Sequence, residues 1–134
     1  MIPVELVKII IDEKNHDQAV VLREKGGSRQ VPIVIGFAEA SSIQMKIAGV
    51  EAPRPMTHDF LASVLQSLEA KSEYLLIDDI VSGTFVAKLR LKNKEGQPVV
   101  VDCRPSDGIA LAVRLGIPMF VEEKIFEKAV SMDM

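Results

Sequence analysis

Apolar residues recur along this chain with two different periods, and the points where the period changes divide it into elements. Residues 3–12 are rich in Val, Ile and Leu and predict a strand; residues 12–17 are a polar turn, and 19–25 a return strand that completes a hairpin. Gly26-Gly27 breaks the pattern, and the loop Ser28-Arg29-Gln30 leads into a third strand over 31–35. After Gly36 the spacing lengthens. Ala40, Ile43, Ile47 and Val50 recur at helical intervals, with Ser41, Gln44 and Lys46 on other faces, until Gly49 and Pro53 end the helix. The loop 51–55 leads into a second helix over 57–70, where Phe60, Leu61, Val64, Leu65 and Leu68 form a wide apolar stripe.

Beyond it the period returns to two. Residues 74–81 and 84–92 predict a hairpin closed by Ser82-Gly83, and the turn 93–96 precedes a strand over 98–103. A third helix covers 106–115 and closes on Gly116, followed by a short strand at 118–121 and a last helix at 122–130. Hairpins interrupted by helices, without regular βαβ alternation, predict an α+β fold. The expectation is a single domain over 1–134, with a mixed, largely antiparallel sheet and about four helices.

Composition narrows the function classes. The chain has 134 residues, 48% apolar and 26% charged, which excludes wholesale disorder and supplies enough material for a real core. No apolar run approaches the roughly 20 residues of a membrane span. The start Met1-Ile2-Pro3-Val4-Glu5 has neither a basic leader nor an apolar signal core, so a cytoplasmic location is expected. The single cysteine, Cys103, cannot form an internal disulfide. It reads as a semi-buried strand residue, although neighbouring Asp102 and Arg104 would bear on its reactivity. Net charge is −3, so any nucleic-acid role must rest on a local basic patch. Neither a zinc spacing nor a P-loop, GxGxxG, GxSxG or EF-hand motif is present.

The candidate chemistry sits in a phrase used twice, fifty positions apart: Arg54-Pro55-Met56-Thr57-His58-Asp59 and Arg104-Pro105-Ser106-Asp107. Proline in or before the first turn, Thr57 or Ser106 as N-cap and an acid inside that turn spell two helix starts. Helix N-termini favour anions, and an arginine beside one can clasp a phosphate through two N–H groups. Arg54, Thr57, Arg104 and Ser106 are therefore phosphate-binding candidates. An equally physical alternative is that Asp59 and Asp107 only stabilise their own helices while each arginine pairs with a nearby carboxylate.

Three further sets are candidates. Asp102 ends a strand and Asp107 opens the next helix, so their carboxylates, with Glu39, are possible ligands for Mg²⁺ or Mn²⁺. Asp78 and Asp79 are adjacent in a strand and point to opposite faces, so only one of them can join such a site. His58, next to Asp59, is a candidate general base or proton donor; His16 falls in the first turn and reads as a solvated loop residue. Lys88, Arg90 and Lys92 alternate with Ala87, Leu89 and Leu91, which puts three cations on one face of a strand. Lys88 and Arg90 could track a nucleic-acid backbone, or the stripe is the solvated face of a half-buried strand.

At these residues the chain resembles the bifunctional nuclease (BFN) domain family. The matching segments are Ile35-Gly36-Phe37-Ala38-Glu39-Ala40, the Arg54 to Asp59 phrase, and Val101-Asp102-Cys103-Arg104-Pro105-Ser106-Asp107-Gly108 with the helix after it. Ile117-Pro118-Met119-Phe120-Val121 also fits. Cys103 and Gly108 stand where the family usually has alanine, and Met56 where it has leucine. The resemblance implies a phosphodiesterase acting on DNA or RNA, assisted by a divalent metal, and a homodimer. On this chain it marks Glu39, Arg54, Thr57, His58, Asp59, Asp102, Arg104, Ser106 and Asp107 as site residues. The roles expected are His58, Asp59, Asp102 and Asp107 in catalysis, with Asp102, Asp107 and Glu39 toward the metal. The alternatives are a non-catalytic module whose Arg/Asp cluster binds an anion or a protein, and a purely structural salt-bridge network.

Overall fold

The computed structural model describes residues 1–12, 14 and 17–132, with side chains through residue 128. His16 lies outside the described residues. The elements follow in the order β1 (Ile2–Asp12), β2 (Asp17–Glu24), β3 (Gln30–Ile35), α1 (Phe37–Ile47), α2 (Thr57–Ser67), β4 (Lys71–Val81), β5 (Thr84–Lys92), β6 (Pro98–Cys103), α3 (Pro105–Leu115), β7 (Met119–Val121) and α4 (Glu123–Met132). All seven strands join one sheet in the order β3-β2-β1-β7-β4-β5-β6. Every pairing is antiparallel except β4 with β7. The α+β fold with four helices and a mixed, largely antiparallel sheet is the one the periodicity predicts.

Three residues of β7 bind the two halves of the sheet. Val121 pairs with Ile2 on one side and Ile77 on the other, and its side chain is fully buried. The sheet also curls: the edge strand β3 and the β4–β5 turn line opposite walls of one cleft, although β2, β1 and β7 separate β3 from β4. A flat sheet, at about 4.8 Å per strand, would hold them far apart.

Burial follows the alternation. Ala87, Leu89 and Leu91 of β5 are buried, as are Val31, Ile33 and Ile35 of β3. On β5 the intervening Lys88, Arg90 and Lys92 therefore lie on the opposite face. Helix α3 is the centre of the helical layer. It packs against α1 and α2 and over β4 and β5, and Ile109, Ala110, Leu111 and Ala112 are all buried. A buried Ile or Leu of this kind contributes about 1.5–3 kcal/mol.

The largest boundary differences from expectation fall where α2 ends and β4 begins. Helix α2 stops at Ser67 rather than near residue 70, because Glu69 adopts a left-handed φ of 59° while the Ala70 N–H donates to the Leu65 carbonyl. That is a closed helix end, and β4 starts directly after it at Lys71. The expected N-caps are also corrected. Met56 and Arg104 occupy the extended cap positions, so Thr57 sits at the first helical position and Ser106 at the second.

Candidate active site

Helices α1, α2 and α3 begin the same way. Each places an acid at the third helical position: Glu39 after Gly36, Asp59 after Met56 and Asp107 after Arg104. There the carboxylate can turn back toward the unsatisfied N–H groups of its own helix start. Asp59 does so, accepting the Met56 N–H at 3.0 Å. Glu39 folds over Gly36 so closely that a Cβ there would meet its carboxylate, and a side chain at that cap would require Glu39 to move.

What distinguishes these acids is what else they hold. Arg104 donates from Nε to Asp107 Oδ2 at 2.8 Å and from Nη2 to Glu39 Oε1 at 2.9 Å, so one guanidinium joins the starts of α1 and α3. Its side chain is 66% exposed, and its Nη1 has no partner among the described residues. The second oxygen of Asp107, Oδ1, lies 2.9 Å from His58 Nε2, and the other ring nitrogen of His58 lies 2.7 Å from Ser42 Oγ. The chain Glu39–Arg104–Asp107–His58–Ser42 thus crosses all three helices. With the carboxylate as acceptor, the neutral imidazole carries its proton on Nε2 and accepts from the Ser42 hydroxyl at Nδ1.

Burial alone would raise the carboxyl of Asp107, but the hydrogen bonds from Arg104 and His58 outweigh it and hold the group below the ordinary aspartate range. The reciprocal bonds from Asp107 and Glu39 raise Arg104 further. A second arginine locks the scaffold behind this chain. Arg114, 7% exposed, donates to Asp59 Oδ1 at 2.7 Å, to the Ala110 carbonyl at 2.9 Å and to the Ser42 carbonyl at 3.3 Å. Its bond is the main reason the Asp59 carboxyl is lowered, with the Met56 N–H next.

The His58–Asp107–Arg104 run forms one side of a cavity of about 460 Å³. Thr57 and Asp102 also line it, and Leu61, Leu65, Leu89, Leu91 and Leu111 make it largely apolar. The expected site residues divide accordingly. His58, Asp107, Arg104 and Glu39 come together by direct contact; Thr57 stands at the same cavity. Asp59 faces the other way, toward Arg114, at a separate cleft. Arg54 is exposed, with no ion-pair partner among the described residues. Ser106 is buried and lines the cleft on the far side of Arg104.

Asp102 does not join Asp107 and Glu39 on one cation. Cys103 packs into the core toward Gly108, so strand alternation turns the Asp102 side chain the other way, where it lies 3.4 Å from Lys88. Lys88 also meets Asp78 at 3.7 Å, and Glu73 serves both Arg90 at 3.6 Å and Lys92 at 3.8 Å. The basic ladder is therefore matched across strands by acids, and its potential as a phosphate track is largely cancelled. Among the described residues no group of three or more His, Cys, Asp or Glu side chains is placed to hold a metal. The cation position between Glu39 and Asp107 is filled by the Arg104 guanidinium. These residues do not fit a preformed metal site.

Ser42 and Arg114 are the members of this assembly that the sequence pattern did not mark. Arg114 carries a weak signal, seven residues after Asp107 and thus on a similar side of the helix. Ser42 carries none, being one of two consecutive serines in α1.

Cys103 lines the same cavity, but burial first, and then the charges of Asp102 and Asp107, push its thiol up to about 11. It is a packing residue rather than a nucleophile.

The fold and site together are a curled α+β sheet carrying a histidine, a carboxylate and an exposed arginine joined by hydrogen bonds beside one cavity. The family comparison adds to this. The family described as the bifunctional nuclease domain matches residues 20–133, and the chain belongs to that family. An uncharacterized protein of Mycobacterium tuberculosis is 36% identical over 126 residues, covering 94% of this chain and 74% of its own length. Bifunctional nuclease 1 of Oryza sativa subsp. japonica is 22% identical over 116 residues, 85% of this chain. Bifunctional nuclease 2 of the same plant is 26% identical over 119 residues. The chain spans only 35% and 36% of the lengths of these two plant proteins. Among the described residues, no helix is long and apolar enough to cross a membrane.

Proposed function

We propose that this chain hydrolyses phosphodiester bonds of nucleic acid at the Arg104–Asp107–His58 run. The observation that carries the reading is that one exposed guanidinium, one carboxylate and one imidazole are joined by hydrogen bonds along one side of a single cavity. Arg104 would bind a non-bridging phosphate oxygen through its open Nη1, held in position by Glu39 and Asp107. Water attacks phosphorus as the bond to the leaving oxygen breaks. The proton lost by the water passes to the Asp107 carboxylate, which His58 and Arg104 orient, and is returned from it to the leaving oxygen. Ser42 and Arg114 are positioning residues: Ser42 fixes the imidazole tautomer, and Arg114 ties α1, α2 and α3 together behind it. A divalent cation, if one takes part, would arrive with the substrate; no step here is routed through it.

The test is cleavage of end-labelled single-stranded DNA and RNA by purified protein in Mg²⁺, Mn²⁺ and EDTA, beside Arg104→Ala. Cleavage that falls at least about a hundredfold in the folded variant supports the reading. Absence of cleavage under every condition removes it.

One observation favours a second reading, a binding module without catalysis. The other side of the cavity is leucine-rich, as expected for a ligand with an apolar body and an anionic head. Saturable binding with no turnover would select it. We also propose that the chain forms a homodimer in a cytoplasmic setting. Among the described residues no further strand pairs with the sheet edges β3 and β6, which carry exposed valines, Val34 at 76% and Val100 at 59%, and no lysine. Sedimentation equilibrium distinguishes a monomer from a dimer.

A further inference from the structure

We propose that Arg104 divides two nucleobase subsites, so that the substrate is an unpaired strand with one phosphate on Arg104 and the flanking bases on either side. The inference rests on the hydrolase reading above and names its substrate class. Arg104 lines two cavities at once. On one side lies the 460 Å³ cavity with His58 and Asp107; on the other lies a cleft of about 500 Å³ between the β3 edge, the β4–β5 turn and the start of α3. Both fall within the range of roughly 300–1,000 Å³ typical of small-molecule sites.

The second cleft has a feature that the scaffold does not use. Ser106 is only 5% exposed and lines this cleft, and its hydroxyl has no hydrogen-bond partner among the described residues. Its oxygen is not among the buried, unpaired side-chain atoms of the described residues, which are Asp78 Oδ1 and Arg90 Nε; it opens onto the cleft, where a hydroxyl can donate to or accept from a base edge. Phe85 and Pro105 add flat apolar surface there, against which a base can lie. Across Arg104, Leu61 and Leu65 offer apolar contact and Thr57 a polar group for a base edge. Bases paired in a duplex face inward and reach neither cavity without being flipped out. The geometry therefore selects single strands by shape.

The test is fluorescence anisotropy with labelled decathymidylate, an abasic strand of the same length and charge, and a duplex of the same length. Decathymidylate should bind at least about tenfold tighter than either of the others. Leu61→Ala and Phe85→Ala, which remove the apolar surface at the rim of each cavity and are checked for fold by circular dichroism, should each bring decathymidylate down toward the abasic level. Arg104→Ala should weaken both single strands alike. Equal affinity for the abasic strand or the duplex, indifference to both rim variants, or no binding of any of the three overturns the proposal. Because binding is read without turnover, a protein that cleaves but shows no base preference loses this inference and keeps the hydrolase reading. One that prefers unpaired bases but never cleaves loses the hydrolase reading and keeps the two base subsites.

Discussion

His58 and Asp107 meet at 2.9 Å between the first turns of two helices, although 49 positions separate them in the chain. Neither residue is placed by its own helix alone. Helix α3 is buried along its length and fixes Asp107; Arg114, on that same helix, holds Asp59 and so sets where α2 begins. The contact is thus as rigid as the packing of α1, α2 and α3 against one another.

Asp107→Asn should destabilise the protein at pH 7 by about 1–2 kcal/mol, because a neutral amide accepts less well from Arg104 and His58. The pH dependence has a definite sign. The folded carboxyl of Asp107 titrates below its unfolded value of about 3.9, so its contribution is present above that pH and is lost as pH falls through the folded value. The gap between wild type and Asp107→Asn in urea denaturation should therefore close below about pH 4. A gap of constant size across that range would show that the charge of Asp107 plays no part.

Arg114→Ala should cost about 2–3 kcal/mol, somewhat less than a fully buried pair because Asp59 is 41% exposed. Arg114→Lys should recover less than half of that, since one ammonium cannot serve Asp59 and two carbonyls from α1 and α3 together. Thermal unfolding of the two variants decides it; a lysine that restores full stability would reduce the role of Arg114 to bare charge.

Cys103 and Gly108 form a compensating pair. A Cβ at Gly108 would overlap a Leu75 methyl and approach Cys103 Sγ at 3.2 Å. One site is larger and the other smaller than the alanine that the family resemblance gives for both. Gly108→Ala should cost about 1–3 kcal/mol by overpacking. Adding Cys103→Ala should return at least about 0.5 kcal/mol of it, a coupling that a double-mutant cycle measures. Strict additivity would mean that Leu75 alone absorbs the methyl.

The Cys103 thiol, held up to about 11, should react with iodoacetamide at pH 8 about a hundredfold more slowly in the folded protein than in urea. Comparable rates would contradict the burial and the nearby carboxylates as controls on this thiol.

Much of this was legible in the sequence, and the omissions have physical reasons. The alternation of Lys88, Arg90 and Lys92 with Ala87, Leu89 and Leu91 announces a two-faced strand, and the strand is there. What alternation cannot show is the neighbour: Asp78 and Asp102 come from strands on either side of Lys88, and only the sheet order reveals that the cations are neutralised. The repeated Arg-Pro phrase correctly marks two helix starts. It suggests equal roles for Arg54 and Arg104, yet Arg104 finds Glu39 at the start of α1, whereas Arg54 stays in a loop. The link from His58 to Ser42 depends on how α1 and α2 each sit on α3, which no local spacing encodes.

The central claim is that His58 and Asp107 act as one unit on a phosphodiester. The direct measurement is kcat/KM for a single-stranded oligonucleotide with His58→Ala, Asp107→Asn and the double variant, all shown to be folded. The account predicts a loss of about a hundredfold or more for each single change and little further loss for the double, as in groups that work together. Folded variants that cleave as fast as wild type, or single losses that simply multiply in the double, would contradict it.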